Sequence, residues 1–328
     1  MHVNMATARA FANIAFIKYW GNRDNQLRLP ANGSLSMNLA GLYAETKVRW
    51  DSRLQSDTLV LNQQPATEDA RRRVAEHLDV LRARLGLVGF AVVESHNNFP
   101  MGAGIASSAA AFAALTVAAV GATGLELSER ELTTLARLGS GSASRSVPAG
   151  FVEWYASDTH EDSYAESFAA PEYWNLVDVI AVVSAEHKVV VSARGHQSAN
   201  TSELQAARVN GAAARLAVCK EAVLNRDFMA FADVVEHDSN LMHAVMITSR
   251  PPLFYWLPAT LTIMSAVRDW RAEGLQVCYT LDAGPNVHCL CMGNHALEVE
   301  SRLRAAPGVE AVLVAGVGGA AQVITLAN

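Results

Sequence analysis

The sequence lacks any long apolar run and is short of cysteine. No stretch reaches the roughly 18 uninterrupted apolar residues that a membrane helix requires, although 51% of the 328 residues are hydrophobic. The first residues, Met1 to Arg9, carry no apolar signal core. The four cysteines, Cys219, Cys278, Cys289 and Cys291, form no C-x-x-C pair. Three of them fall in apolar, strand-like segments, so buried thiols in a reducing compartment are expected, not disulfides or a metal cluster. The ten histidines are scattered and form no H-E-x-x-H or similar ligand pair. His243 and His288 read as satisfied or partly exposed residues. Positive charge is also in deficit. With 26 Lys and Arg against 32 Asp and Glu, the net charge of −6 gives no electrostatic footprint for nucleic acid. A local cluster of cations can still receive an anionic ligand. These absences leave a soluble, cytoplasmic, globular enzyme of one large domain or two as the expectation.

What is present is an irregular mixture of strand and helix signals. Ala8 to Lys18 reads as a buried strand. Tyr43 to Trp50 alternates, with Thr46, Val48 and Trp50 on one face and Lys47 and Arg49 on the other. Thr67 caps a helix that ends at Gly86, and its Arg71-Arg72-Arg73 run reads as a solvated face. Ser128 with Glu131 makes a capping box. Ser202 to Leu224 and Asp227 to Met242 read as consecutive helices, and Pro251-Pro252 breaks the chain after them. Strands are expected at Leu275 to Leu281 and Val287 to Met292. The plan is α+β with a mixed or antiparallel sheet. The polar run Ser192 to Ser202 marks a soft boundary.

Four segments could carry chemistry. Asn98 to Ala110 crowds small residues and hydroxyls into a loop that enters an alanine-rich helix. Unpaired N–H groups at a helix start suit a phosphate; close helix packing through small side chains is the plainer alternative. Lys18, ending an apolar strand, is either a snorkelling edge residue or a cation directed into a site. Gly139 to Ser146 sets Arg145 among small residues only, where its guanidinium could fork onto a carboxylate or phosphate; a flexible linker would look similar. Asp282-Ala283-Gly284-Pro285-Asn286 is either ordinary turn chemistry or a carboxylate held at a strand end as a base.

In order and spacing, Asn13 to Asp24, Leu29 to Ser36, Asn98 to Ala110, Gly139 to Trp154, the His243 and Pro251-Pro252 region and Asp282 to Val287 resemble the mevalonate diphosphate decarboxylases. These belong to the GHMP superfamily of galactokinase, homoserine kinase, mevalonate kinase and phosphomevalonate kinase. The resemblance covers nearly the full length. It implies a two-domain GHMP-kinase-like α+β fold. Residues 1–187 would form a ribosomal-protein-like α/β domain that binds ATP, and 188–328 a ferredoxin-like α+β domain. The reaction it implies phosphorylates a tertiary hydroxyl and then expels phosphate and carbon dioxide together.

The resemblance also assigns roles. Asp282, Lys18 and Arg145 would be catalytic. Pro100, Gly102, Ala103, Gly104, Ala106, Ser107 and Ser108 would cradle ATP, with Ser107 and Ser108 reaching Mg²⁺. Tyr19, Asn22, Ser140, Gly141, Ser142, Ser192 and Arg194 would hold the phosphorylated mevalonate. A homodimer is implied, and no nucleic-acid or membrane partner. Three stretches depart from the family pattern: Asn22 where the family has lysine, Val147-Pro148-Ala149, and Ser192-Ala193-Arg194-Gly195-His196. All three are expected at the phosphate end of the substrate. A neutral amide in place of an ammonium removes a charge-assisted contact, so mevalonate 5-phosphate, giving isopentenyl phosphate, is the expected substrate. Mevalonate 5-diphosphate is the first alternative, and a mevalonate-type kinase without decarboxylation the second.

Overall fold

The computed structural model describes residues 4–99, 107–184 and 192–327, with the side chains at 192–194, 326 and 327 outside that description. The chain opens with β1 (Met5–Ile17), a short hairpin of β2 (Asn22–Asp24) and β3 (Leu29–Pro30), and the long β4 (Ser34–Asp51). Then come β5 (Thr58–Leu61), β6 (Gln64–Pro65), α1 (Glu68–Leu85), β7 (Phe90–Asn97), α2 (Ser107–Gly121) and α3 (Glu129–Gly139). A 3₁₀ segment, Gly141–Ser146, leads to β8 (Phe151–Trp154), β9 (Ala165–Ala169) and β10 (Leu176–Val182). The helices α4 (Ser192–Ser198), α5 (Gln205–Asn210), α6 (Ala212–Asn225), α7 (Phe228–Thr248) and α8 (Pro258–Ala272) follow. β11 (Val277–Thr280), β12 (Val287–Met292), α9 (Ala296–Ala305), β13 (Ala311–Gly316) and β14 (Gln322–Ala327) complete it.

Two sheets carry the fold. In the larger, β14, β1, β4, β7, β5 and β6 lie in that order, and β8 and β9 extend β4. Its pairs are antiparallel except β5 with β7. The smaller sheet is antiparallel, in the order β11, β12, β10, β13. The α+β plan expected from sequence is the plan found. The expected division into 1–187 and 188–328 meets two pairings that cross it: β10 lies between β12 and β13, and β14 returns to β1. Ser202 to Leu224 is not one helix; it breaks at Gly211 into α5 and α6, and the polar run before it forms α4 instead of a linker.

Side-chain size explains the larger core. Along β1, alternate alanines (Ala6, Ala8, Ala10, Ala12) are buried, and from Ala12 onward every position is. On that sheet lies α2, apolar all round and so buried all round. Its Ala109, Ala110, Ala113, Ala114, Ala118 and Ala119 are fully buried, so the helix axis can approach the strands closely. Ser128 and Glu131 form the expected capping box on α3. At the far end of α3, a Cβ on Gly139 would lie 2.3 Å from Phe112 Cδ1 and 2.9 Å from His77 Nδ1. Glycine is needed there for α3 to end against α1 and α2.

His77 is a neutral histidine sealed in this junction. Thr116 Oγ1 donates to the Phe112 carbonyl and therefore accepts from His77 Nε2 at 2.8 Å. Burial, with the nearby Arg28 charge, pushes its pKa from 6.5 down to about 3. The unfolded chain then binds the proton that the folded chain refuses, so this contribution is complete above pH 6.5 and fades as pH falls toward 3. Urea unfolding should show about 2 kcal/mol lost by about pH 5 through this group. The slope should flatten in His77→Gln, and an unchanged slope would remove His77 as its source.

Candidate active site

Two strand ends meet at the centre of the molecule. Lys18 directly follows β1, and its ammonium donates to Asp282 Oδ1 at 2.9 Å. The lysine side chain is 1% exposed and the aspartate 28% exposed, so the carboxylate keeps one open side. The Lys18 backbone N–H donates to Asp238 Oδ2 at 2.6 Å, and its carbonyl accepts from Asn32 at 3.0 Å. Asp282 starts the turn between β11 and β12. Asn286 Oδ1 pins the other end of that turn by accepting from the Val183 and Ser184 N–H groups. From α7, Ser239 Oγ accepts the Leu281 N–H at 3.0 Å, and His243 Nε2 donates to the Asp282 carbonyl at 2.9 Å. Four residues apart, these two side chains share one helix face.

The electrostatics favour the ionised pair. Burial pushes the Asp282 carboxyl up, but Lys18, His288 and Arg145 outweigh it and hold the pKa below 3.8. Burial pulls the Lys18 ammonium below 10.5, with Asp282 opposing. His288 stands behind the pair with Nδ1 2.6 Å from Asp178 Oδ2, both side chains sealed from solvent.

Arg145 comes from the 3₁₀ segment, which is not a flexible linker: the residues around it are buried. Its Nη1 donates to Ser34 Oγ at 2.7 Å and Nη2 to Asn13 Oδ1 at 3.2 Å. Its Nε is buried without a hydrogen-bond partner among the described residues. A buried donor without an acceptor costs about 1–3 kcal/mol. Burial lowers the guanidinium to about 10, against Asp282 and Tyr19. The group is therefore a cation with donors in reserve, its Nε among them.

Tyr19 and Asn22 form the adjoining wall. The Tyr19 ring stacks on His196 at 4.2 Å and meets Trp154 edge-on at 4.7 Å. Its hydroxyl donates to Asn22 Oδ1, and Asn22 Nδ2 donates to Asn25 at 2.9 Å. A Cβ on Gly141 would lie 2.6 Å from the Tyr19 ring, so that ring needs glycine opposite it. Ser140 Oγ lies 3.3 Å from Ser108 Oγ, joining the start of α2 to the end of α3. Ser107 begins α2 beside Ser108. The Ser142 carbonyl accepts from Asn13 Nδ2 at 3.1 Å.

The remaining expectations divide. Pro100, Gly102, Ala103, Gly104 and Ala106 lie outside the described residues. Ser192 and Arg194 lie in α4, with side chains outside the description. Val147-Pro148-Ala149 is not at the Tyr19 wall: Asn38 donates to the Pro148 carbonyl at 2.6 Å and the Ala321 N–H to the Val147 carbonyl at 2.9 Å, joining β4 to the C-terminal segment. Nor is the Arg71-Arg72-Arg73 run wholly solvated, because Arg73 turns inward over the Phe112 ring. Asp238, Arg208 and Gln205 were missed; the latter two donate to the Trp20 carbonyl and fix the path of residues 18–20. Only their place on amphipathic helices was available as a signal. Among the described residues, no three His, Cys, Asp or Glu side chains gather to hold a metal, and no helix is long and apolar enough to cross a membrane. All four cysteines are buried and unbridged.

The chain is similar to known proteins over most of its length. Residues 10–165 match the family model described as the diphosphomevalonate decarboxylase-like N-terminal domain, and 178–311 that of the mevalonate 5-diphosphate decarboxylase C-terminal domain. Diphosphomevalonate decarboxylase mvd1 of Aspergillus fumigatus is 40% identical, over 87% of this chain and 76% of that protein. The diphosphomevalonate decarboxylase of Ganoderma lucidum is 37% identical, over 91% and 81%. Mevalonate diphosphate decarboxylase from Staphylococcus aureus superposes with a TM-score of 0.94 at 33% identity, covering 98% of both chains. A structure described as MDDEF in complex with MVAPP, AMPPCP and magnesium gives 0.91 at 34%, again over 98% of both.

The pair at the centre makes a prediction that does not depend on turnover. Lys18→Met leaves burial less opposed, so the Asp282 carboxyl should titrate at higher pH than in the parent, where it stays ionised to below 3.8. Carboxyl carbon shifts followed by NMR against pH would show this; an unmoved titration would mean that Lys18 does not set the charge of Asp282.

Proposed function

The chain belongs to the diphosphomevalonate decarboxylase family, an ATP-dependent carboxy-lyase family, and from that premise we propose that it decarboxylates a 5-phosphorylated mevalonate by the residues gathered around Asp282. The observation that carries this reading is the ionised Asp282, paired with the buried Lys18, in a site where Arg145 keeps one buried donor unused. A substrate bearing both an alcohol and a carboxylate meets the two needs at once. Asp282 orients the tertiary hydroxyl and accepts its proton as the oxygen takes the phosphoryl group. Lys18 holds the carboxylate ionised for that task. Arg145 forks onto the substrate carboxylate and fixes it beside the carbon that loses phosphate. When the phosphate leaves, the electron pair of the breaking carbon–carboxylate bond fills the electron-poor carbon. An alkene and carbon dioxide result.

ATP and Mg²⁺ suit the chemistry of Ser107 and Ser108, two hydroxyls at a helix start beside Ser140. Magnesium supplies charge neutralisation to the nucleotide phosphates. A relative described with AMPPCP and magnesium supports the pairing. The walls around Tyr19 and Trp154 keep the reacting groups from water.

On the substrate's phosphate end, the relatives are named for the diphosphate, and mevalonate 5-diphosphate is the reading they favour. The expected monophosphate draws no support from them. One observation keeps it as a second reading. Asn22 stands where the resemblance places a lysine, and its amide is turned to Tyr19 and Asn25.

Coupled ADP release with each substrate at matched concentration decides between them. A larger kcat/KM on the diphosphate is expected from the relatives, and the reverse ratio would select the monophosphate. Asn22→Lys should move the ratio toward the diphosphate; no movement would remove Asn22 as a discriminator. Asp282→Asn should lower kcat by about 10²-fold or more while ATP affinity changes less than about twofold. Substantial turnover in that variant would remove Asp282 from its role.

A further inference from the structure

Arg28 is a cation without an anion. It sits at the tip of the β2–β3 hairpin with a left-handed backbone, φ 49°. Its Nε donates to the Leu138 carbonyl at 2.9 Å, two residues before Ser140. Among the described residues it forms no ion pair, and no acceptor meets its terminal nitrogens. Three arginines share this corner and are used differently. Arg137 is occupied by the carbonyls of Leu27, His160 and Ser163 and by the His160 ring. Arg73, half-buried over Phe112, also forms no ion pair among the described residues.

Arg28 is the leading neighbouring charge on four buried or half-buried groups. After burial itself, it is the first influence on Tyr19, pushed up to about 12, and on His77 and His196, each pushed down to about 3. It also leads the charges acting on Arg73, again after burial. The end of α3 sets these groups in sequence: Leu138 receives Arg28, Gly139 faces Phe112 and His77, and Gly141 faces Tyr19, whose ring stacks on His196, while Arg73 lies over Phe112. Asp69 and Glu76 offset part of the Arg73 charge, whereas Arg28 forms no ion pair among the described residues, so its guanidinium favours an anion beside it.

We propose that Arg28 receives the terminal phosphate of the substrate, supplying from the hairpin tip the positive charge that Asn22, at the hairpin's base, does not. This rests on the proposed function for the identity of the ligand, and it adds a specificity-determining residue to that site. β2 and β3 pair Asn22 with Pro30 and Asp24 with Leu29, so one short hairpin carries both residues, with position 28 just beyond the Asp24–Leu29 pair. An arginine fork suits the oxygens of a phosphate better than a single ammonium would.

The test uses Arg28→Asn and Arg28→Lys. Asparagine accepts the left-handed backbone, so the first variant keeps the turn. Calorimetric titration with mevalonate 5-phosphate and with mevalonate 5-diphosphate reads the contact without turnover. Arg28→Asn should weaken binding of the better ligand about tenfold or more, and Arg28→Lys should recover part of the loss. In the steady state the KM for that substrate should rise by a similar factor, with the KM for ATP within about twofold. Unchanged dissociation constants, an equal loss of ATP affinity, or a lysine variant no better than asparagine would overturn the proposal. A parent protein that binds these ligands with the expected dependence on Arg28 yet releases no carbon dioxide would overturn the proposed reaction and uphold the role of Arg28.

Discussion

An ammonium stripped of water at the end of β1 is the constraint around which the molecule is arranged. Lys18 is 1% exposed, and a buried charge of that kind persists only when it is paired and hydrogen-bonded. Its partner comes from the other sheet. The ion pair therefore ties the end of β1 to the β11–β12 turn, and the position of one sheet against the other becomes a condition for keeping the charge. The surrounding bonds serve the same end. Asp238 takes the Lys18 N–H and also accepts Arg215 at 2.7 Å. Helix α7 supplies Ser239 and His243 to the backbone of Leu281 and Asp282. Breaking one partner would leave the other charged and unmatched, which is costlier than never having had the pair.

The alanines serve this arrangement at a distance. Because α2 carries mainly small side chains toward β1 and β4, it lies close to the sheet, and its first residues reach Ser140 at the end of α3. Close packing through small side chains, one of the two readings of this segment, is seen in the buried alanines of α2. Small side chains let the helix start lie beside Ser140, and on our proposal that start receives the nucleotide phosphates. Gly139 and Gly141 extend the logic, one letting α3 close on Phe112 and His77, the other leaving room for the Tyr19 ring.

How much of this was legible in the sequence depends on whether the cause was local. Thr67, Ser128 and Glu131 act within a turn of their own helices, and the caps they announce are present. Asp282 to Asn286 is a turn between two strands, as its composition says, and it also holds a carboxylate at a strand end; the residues alone left those readings open. Lys18 could not be told from a snorkelling edge residue, because its partner lies 264 positions away. Arg73 shows the opposite failure. Its run of three arginines looks like a solvated face, but helical geometry turns one of the three toward Phe112. Asp238, Arg208 and Gln205 had no local mark, since a polar residue on an amphipathic helix declares its partner only after the helices pack.

The phosphate end of the site follows from the same distinction between a residue and its surroundings. Asn22 by itself reads as a lost positive charge, and a lost charge reads as a lost phosphate. In the folded chain, however, the charge of a corner belongs to every side chain that faces it. Arg28 lies at the Leu138 carbonyl and forms no ion pair among the described residues, and it leads the neighbouring charges acting on Tyr19. The corner is therefore more positive than position 22 suggests, which agrees with relatives named for a diphosphate. On our proposal, the choice between one phosphate and two draws on the reach and fork geometry of the Arg28 guanidinium as well as on the residue at position 22.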